Sequence, residues 1–244
     1  MIKLPSEYQF TSFIGSGAFG TVVRCQDVKR NRSVAVKIIP KPKISNWIVY
    51  NDQRIPLKVD ILLHCHHKNI IQILDYFESV EDFYIVTNVP ARRCLKLHEA
   101  SMDMFQYIEN YFPLPERTIK MFFKQAASAI DYLYDMKICH GFANVVKDNI
   151  DDRDYGGLGG TVEYWSPEFY TRTCFNRYAS DIWALGIVLV VITNKYVMWN
   201  GCTPYNADKE YAPVFEGMLQ NVPEDRFIIK DVMRLVKLWT VEKD

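Results

Sequence analysis

The feature that most constrains the fold is the glycine-rich sequence GSGAFGTV at residues 15–22, which joins two strand-like runs, 8–14 and 21–26. Glycines let a backbone come close to phosphate groups and direct its N–H groups at them. A dinucleotide-binding turn uses similar glycines, but a helix follows it at once. Here the chain continues as a strand, so the sequence predicts a β-hairpin that binds phosphates.

A second motif supports this interpretation. VAVK at residues 34–37 puts Lys37 on the next predicted strand, where its ammonium could pair with the α- and β-phosphates of a nucleotide. The alternative is an ordinary hairpin beside a solvated lysine on an edge strand. The two motifs at this spacing favour a nucleotide site.

The character of the chain changes near residue 90. Short β-branched and aromatic runs come before it, and apolar residues spaced three to four apart come after it. Strands followed by helices predict two lobes, joined by a hinge at 88–91. The predicted strands are 8–14, 21–26, 33–39, 71–77 and 83–87, and the predicted helices are 103–111, 116–136 and 179–193.

Composition excludes several classes of protein. The 244 residues are 49% hydrophobic, with 29 basic and 29 acidic side chains, so the chain is globular and has no bulk charge to attract nucleic acid or an anionic membrane. The longest apolar run, 182–192, is shorter than the roughly 20 residues that cross a bilayer, and it predicts a buried core helix. Six cysteines without CxxC pairs, and a start without an apolar signal region, predict reduced thiols in an intracellular protein, cytoplasmic or nuclear.

The glycine loop and its lysine resemble those of the eukaryotic protein kinase domain, and four stretches between residues 43 and 77 resemble the PAS-domain and PIM kinases most closely. The resemblance covers nearly the whole chain. The other landmarks occur in family order: KISNWI at 43–48, RIPL at 54–57, NII at 69–71, LDYF at 74–77, MDMF at 102–105, GTVEY at 160–164, SPE at 166–168, SDIWALG at 180–186 and PEDR at 223–226.

The resemblance implies an α+β, two-lobed kinase-like fold over residues 8–240. The N-lobe, 8–87, would hold a small antiparallel β-sheet with one helix, and the C-lobe, 92–240, would be mainly helical. ATP is the implied ligand. A protein substrate with Ser or Thr, or a regulated partner protein, is the implied partner, with neither nucleic acid nor membrane. The implied nucleotide-binding residues are Ile14, Gly15, Gly17, Gly20, Val22, Ala35, Lys37, the gatekeeper Thr87, and Asn88 and Val89 of the hinge.

One departure from the family pattern lies in the first helix. Counted back from NII at 69–71, the position of the family's αC glutamate is occupied by Lys58. A second ammonium there would repel Lys37 rather than orient it. Asp60, two residues further, is predicted to point from a different helix face and to be a poor substitute.

The catalytic loop departs further. The family sequence HRDxxxxN puts its Asp two residues after the His. Here His140 marks the loop, but the sequence continues GFANVV at 141–146. The simplest alignment deletes the centre of the loop and uses Asn144 as the Asn. Another puts Phe142 at the Asp position, and a third uses Asn149 as the metal ligand. None of the three supplies a catalytic Asp.

The expected metal site is also incomplete. DYG at 154–156 resembles a DFG variant, so Asp154, supported by Asn144, is the candidate Mg²⁺ ligand. Only three residues separate DYG from GTVEY, so the activation loop is almost wholly missing. Polar Asp152 and Arg153 also replace apolar residues expected before DFG.

Three other features have mainly structural interpretations. Glu168 and Arg226 match the family's buried ion pair. Asp181 matches the residue that holds the catalytic-loop backbone, and the alternative is a helix N-cap. HCHH at 64–67 suggests zinc, but its ligands are adjacent rather than spaced in pairs, so metal binding is not favoured.

These departures predict a pseudokinase: a kinase fold that binds ATP, is inactive or strongly impaired, and regulates or scaffolds a partner protein. Two alternatives stay open. A divergent serine/threonine kinase could act through positioning and metal electrostatics, because losing general-base help costs roughly 10²–10⁴-fold in rate. An omitted exon or mis-assembled gene model would also shorten the region between His140 and Gly160.

Overall fold

The computed structural model describes residues 4–17, 20–89, 104–140, 144–145, 162–171, 176–195 and 211–239. The chain divides into two compact units, Met1–Met102 and Asp103–Asp244. Because residues 90–103 lie outside the described residues, the lobe limits and the hinge at 88–91 stay predictions.

The first unit contains strands and one α-helix. All five predicted strands are confirmed, with ends that differ by at most three residues. A further hairpin and a 3₁₀ turn, Lys41–Lys43, were not predicted. The strands are β1 (Tyr8–Gly17), β2 (Gly20–Asp27), β3 (Arg32–Pro40), β4 (Trp47–Tyr50), β5 (Gln53–Pro56), β6 (Ile73–Glu78) and β7 (Asp82–Asn88), and the helix is α1 (Leu57–His64).

Five of these strands form one antiparallel sheet in the order β1-β2-β3-β7-β6. Although β1 and β6 are its two edges, the Tyr8 hydroxyl donates a 2.7 Å hydrogen bond to Asp75 Oδ2. The sheet is therefore curled enough to bring its edges together. Burial, together with the hydrogen bond to Asp75, raises the pKa of the Tyr8 hydroxyl.

Alternation along β3 gives the sheet two different faces. One face is a buried apolar cluster that includes Val23, Val36 and Val86, which are cross-strand partners. The other face carries Lys37 and Ala35 and is covered in part by α1 and by the β4–β5 hairpin. There Ile55 and Val59 pack with Phe83 and Ile85 of β7.

The second unit is mainly helical and confirms the three predicted helices. Its short strands β8 and β9 form a hairpin, and 3₁₀ turns occur at Val162–Tyr164 and Pro223–Asp225. Its elements are α2 (Met104–Tyr111), α3 (Glu116–Asp135), β8 (Ile138–Cys139), β9 (Asn144–Val145), α4 (Pro167–Thr171), α5 (Arg177–Asn194), α6 (Ala212–Met218) and α7 (Ile229–Leu238).

Helix α3 contacts both α5 and α7. It buries Ile119, Phe123, Ala127 and Ile130, whose spacing of three to four residues puts them on one face. Helix α5 is apolar and long enough to cross a membrane by length and composition alone. However, 67% of its residues are buried inside the structure, which confirms that it is a core helix.

Candidate functional site

Three of the predicted nucleotide-binding residues lie in one cross-strand row. Gly15 of β1 pairs with Val22 of β2, and Val22 pairs with Lys37 of β3. Paired residues point to the same face of a sheet. The register therefore puts Gly15, Val22 and Lys37 on the face of the sheet that α1 partly covers.

A second row lies two residues further along the same face. Ala35, 5% exposed, pairs with Thr87, whose hydroxyl donates a 3.2 Å hydrogen bond to the carbonyl of Asn88. Ile14 and Val89 are half-buried. The two rows give this face a cationic end at Lys37 and a small, apolar end at Ala35.

The glycines of the loop are required for different reasons. Gly20 has φ +138°, and a Cβ there would lie 2.1 Å from the carbonyl oxygen of Ile38, so the fold itself requires glycine. Gly15 and Gly17 have no such φ, and a Cβ on either would meet no described residue within 4 Å. Neither packing nor backbone conformation explains these two glycines, and they leave open space above the strand.

Lys37 is half-buried and lies near another cation. Burial, and after it the positive charge of Lys58 on α1, lowers the pKa of the Lys37 ammonium. Within the described residues Lys37 has no ion pair with a carboxylate. The interaction predicted at this position, repulsion in place of a Lys–Glu pair, is therefore present.

Asp60 is engaged elsewhere on α1. Its Oδ1 lies 3.4 Å from His64 Nδ1, which also lies 2.8 Å from the Asp60 carbonyl. In the rest of the HCHH sequence, Cys65 is buried, and His67 Nδ1 accepts a hydrogen bond from the N–H of Asn69. Across the described residues, no group of three potential metal ligands occurs.

Arg24 belongs to the candidate site although no sequence motif singled it out. It lies in β2 two residues after Val22 and pairs with Ala35, so it faces the candidate site. Its Nε is buried and has no hydrogen-bond partner in the described part of the chain. The period-two alternation of the strand, counted on from Val22, was the available signal.

The start of the catalytic loop is fixed within the second unit. The backbone N–H of His140 donates a 2.7 Å hydrogen bond to Asp181 Oδ2, and Asp181 is 4% exposed. The N-cap of α5 is Asn176, whose side chain accepts from the N–H of Ala179. The alternative N-cap role for Asp181 is therefore wrong.

The loop itself is short. Cys139 of β8 pairs with Asn144 of β9, so residues 140–143 connect the two strands. Their sequence, HGFA, contains no carboxylate. Asn144 is thus part of the β8–β9 hairpin. The other candidate magnesium ligand, Asp154, lies outside the described residues, and so does Phe142.

The predicted buried ion pair is present. Glu168 accepts two hydrogen bonds from Arg226, at 2.9 and 3.1 Å, and both side chains are at most 1% exposed. Arg226 also donates to the carbonyls of Ala179 and Gln220 and lies over the ring of Trp183. This network joins α4, α5 and the segment before α7.

Two lines of evidence now define the class of protein. The fold is a curled antiparallel sheet with one helix in one unit and a helical second unit, and the protein kinase domain family matches residues 8–141. The chain belongs to the protein kinase family.

Several similar proteins are serine/threonine kinases by name. The PAS domain-containing serine/threonine-protein kinase of Mus musculus is 28% identical over 93% of this chain and 18% of its own length. Serine/threonine-protein kinase PSK2 of Saccharomyces cerevisiae is 27% identical over 97% and 22%, respectively. Serine/threonine-protein kinase prk-2 of Caenorhabditis elegans is 24% identical over 85% and 48%. The chain thus spans about a fifth of the first two relatives and about half of the third, and the predicted resemblance to PAS-domain kinases is confirmed.

Proposed function

We propose that this chain is a pseudokinase that binds ATP through its first unit, transfers no phosphate at a significant rate, and regulates or scaffolds a partner protein inside the cell. One observation carries the proposal. The paired strands β8 and β9 leave only the sequence HGFA, 140–143, between them, and this sequence contains no carboxylate to take the role of the family's catalytic Asp.

The comparisons with relatives agree with a shortened chain. The match to the mouse kinase extends over 263 residues, more than the 244 residues of this chain. Relatives therefore have residues inside the matched region that this chain lacks. A loss between His140 and Gly160 would account for this difference.

The nucleotide site is supported by the row of Gly15, Val22 and Lys37 and by the space above Gly15 and Gly17. Phosphate oxygens approaching from that side would meet backbone N–H groups and the Lys37 ammonium. A magnesium ion, when bound, would neutralise charge on the phosphates. The amide oxygen of Asn144 and the carboxylate of Asp154 are hard ligands that suit it.

Two measurements on the purified chain test this function. The first is thermal unfolding with and without ATP, since a ligand that binds the folded state raises its stability. ATP is expected to raise the midpoint in the native chain and not in the Lys37→Ala variant. The second is transfer of ³²P from ATP to casein with Mg²⁺ or Mn²⁺, where the native chain and Lys37→Ala are expected to give equal background.

A divergent active serine/threonine kinase is the second candidate, favoured by the names of the relatives. It predicts label incorporation that depends on Lys37. Incorporation by the native chain that disappears in Lys37→Ala would overturn the pseudokinase proposal and support this candidate. Sequencing the transcript across codons 140–160 tests whether the short loop is encoded.

A further inference from the structure

Arg24 puts a second cation on the sheet face that carries Lys37. Its cross-strand partners are Ser12 of β1 and Ala35 of β3, so the three side chains share one face. Directly paired residues have Cβ atoms about 5 Å apart, and diagonal neighbours lie roughly 7–8 Å apart, within reach of long side chains. Lys37 lies two residues after Ala35 and is therefore a diagonal neighbour of Arg24. Strand register alone brings the two cations together.

The guanidinium of Arg24 lacks a partner of opposite charge. Its Nε is buried without a hydrogen-bond partner, and Arg24 forms no ion pair with any described residue. A guanidinium is always charged, and burial of a charge is unfavourable until an acceptor reaches it. The two strand rows that form this part of the face contain no carboxylate. They consist of Ser12, Arg24, Ala35, Thr87 and Ile73, and of Gly15, Val22, Lys37, Ile85 and Tyr76.

The position of Arg24 along its strand indicates which part of a nucleotide it meets. In the proposed site the 5′-phosphates lie over Gly15 and Lys37, and the flat base lies at the small apolar end formed by Ala35. Two residues along a strand span about 7 Å, so the two rows are separated by that distance. The ribose, which joins base and 5′-phosphate, bridges them. Arg24, beside Ala35, is therefore a cation at the base and ribose end.

Resting on the proposed nucleotide site, we propose that Arg24 binds a phosphate group on the ribose. The ligands are then adenine nucleotides with a 2′- or 3′-phosphate in addition to the 5′-phosphate. A guanidinium binds phosphate oxygens in bidentate fashion, and an uncompensated charge favours this anion over the neutral edge of a base. Arginine accommodates a ribose 2′-phosphate in the same way in dinucleotide-binding folds. The exposed hydroxyl of Ser12, paired with Arg24, is a further donor for the same group.

The test is calorimetric titration of the full chain, in EDTA, with AMP, adenosine 2′,5′-bisphosphate and adenosine 3′,5′-bisphosphate. The bisphosphates differ from AMP only in the ribose phosphate. The native chain is expected to bind at least one of them about tenfold or more tightly than AMP, the usual effect of one charge-assisted contact. Arg24→Met is expected to abolish this gain, so that the three nucleotides bind with similar Kd.

Two further variants and a stability measurement keep the result interpretable. Lys29→Met removes an exposed lysine from the β2–β3 turn and is expected to retain the gain. Arg24→Lys keeps the charge without the forked donors and is expected to retain part of it. Thermal unfolding verifies that Arg24→Met is folded, which is expected because a flexible apolar side chain replaces one with an unpaired buried donor.

Each outcome separates this inference from the proposed function. Equal binding of AMP and both bisphosphates by the native chain would overturn the role of Arg24 and leave the nucleotide site intact. A gain that persists in Arg24→Met would overturn that role as well. Failure of all three nucleotides and of ATP to bind would overturn the nucleotide site and this inference with it.

Discussion

Asp181 of α5 accepts a hydrogen bond from the backbone N–H of His140, 41 residues earlier in the sequence, at 2.7 Å. The contact fixes the start of the catalytic loop to the core helix of the second unit. This hydrogen bond, which anchors the loop, is therefore present in a chain whose loop sequence, HGFA, contains no carboxylate. The same carboxylate, acting after burial as the larger cause, raises the pKa of the Tyr134 hydroxyl.

Removal of this anchor should destabilise the second unit. Asp181→Ala is expected to lower the free energy of unfolding by about 1–3 kcal/mol, because a buried charged acceptor is lost. Asp181→Asn keeps an acceptor oxygen and should lose less. Urea unfolding of both variants measures the difference, and equal stability of Asp181→Ala and the native chain would contradict the prediction.

The buried pair of Glu168 and Arg226 should contribute more than any surface pair. Glu168→Gln leaves the Arg226 charge buried without its partner, which is expected to cost about 3–5 kcal/mol. The matched control is Lys230→Met, since Lys230 is 52% exposed and pairs with Asp131 and Asp135. That change is expected to cost about 0–1 kcal/mol. Comparable urea midpoints for the two variants would be the contrary result.

The charge of Lys37 is expected to lower the stability of the folded chain while it contributes to ATP binding. Because the pKa of Lys37 is below its usual value of 10.5, the folded chain holds this proton less tightly than the unfolded chain does. The destabilisation is full below the folded pKa and decreases as pH rises from there toward 10.5. Lys37→Met should therefore melt higher than the native chain by roughly 2 °C or more at pH 7, and lose the ATP-dependent shift.

The pH dependence of that difference is the decisive measurement. The gap in melting temperature between Lys37→Met and the native chain should shrink as pH approaches 10.5. Lys68→Met, at an exposed site in the same unit, should show no such trend. A gap that grows with pH would show that the charge of Lys37 is stabilised in the fold.

The glycines should separate into structural and binding positions. Gly20→Ala is expected to destabilise the fold by more than about 1 kcal/mol, because its φ of +138° and the Ile38 carbonyl exclude a Cβ. Gly17→Ala should leave stability unchanged or slightly raised but weaken ATP binding. Melting curves with and without ATP measure both effects. A large loss of stability in Gly17→Ala would contradict the assignment.

Local patterns in the sequence predicted much of this molecule. Short runs of β-branched and aromatic residues predicted the five strands of the sheet, and spacing of three to four residues predicted α2, α3 and α5, because these patterns depend on neighbours along the chain. The glycine loop and Lys37 carried the family resemblance. The absence of a carboxylate in HGFA was likewise visible in the sequence, and so was the lysine at position 58.

Other features depended on packing between distant segments. Position in the sequence left Asp181 with two roles, and only the approach of α5 to the β8–β9 hairpin decided between them. The contact of Tyr8 with Asp75 required the curl of the whole sheet. The joint position of Lys37, Ala35 and Arg24 on one face of the sheet followed from strand register. Register and helix docking are set by the burial of many side chains at once, and no short stretch of sequence contains that information.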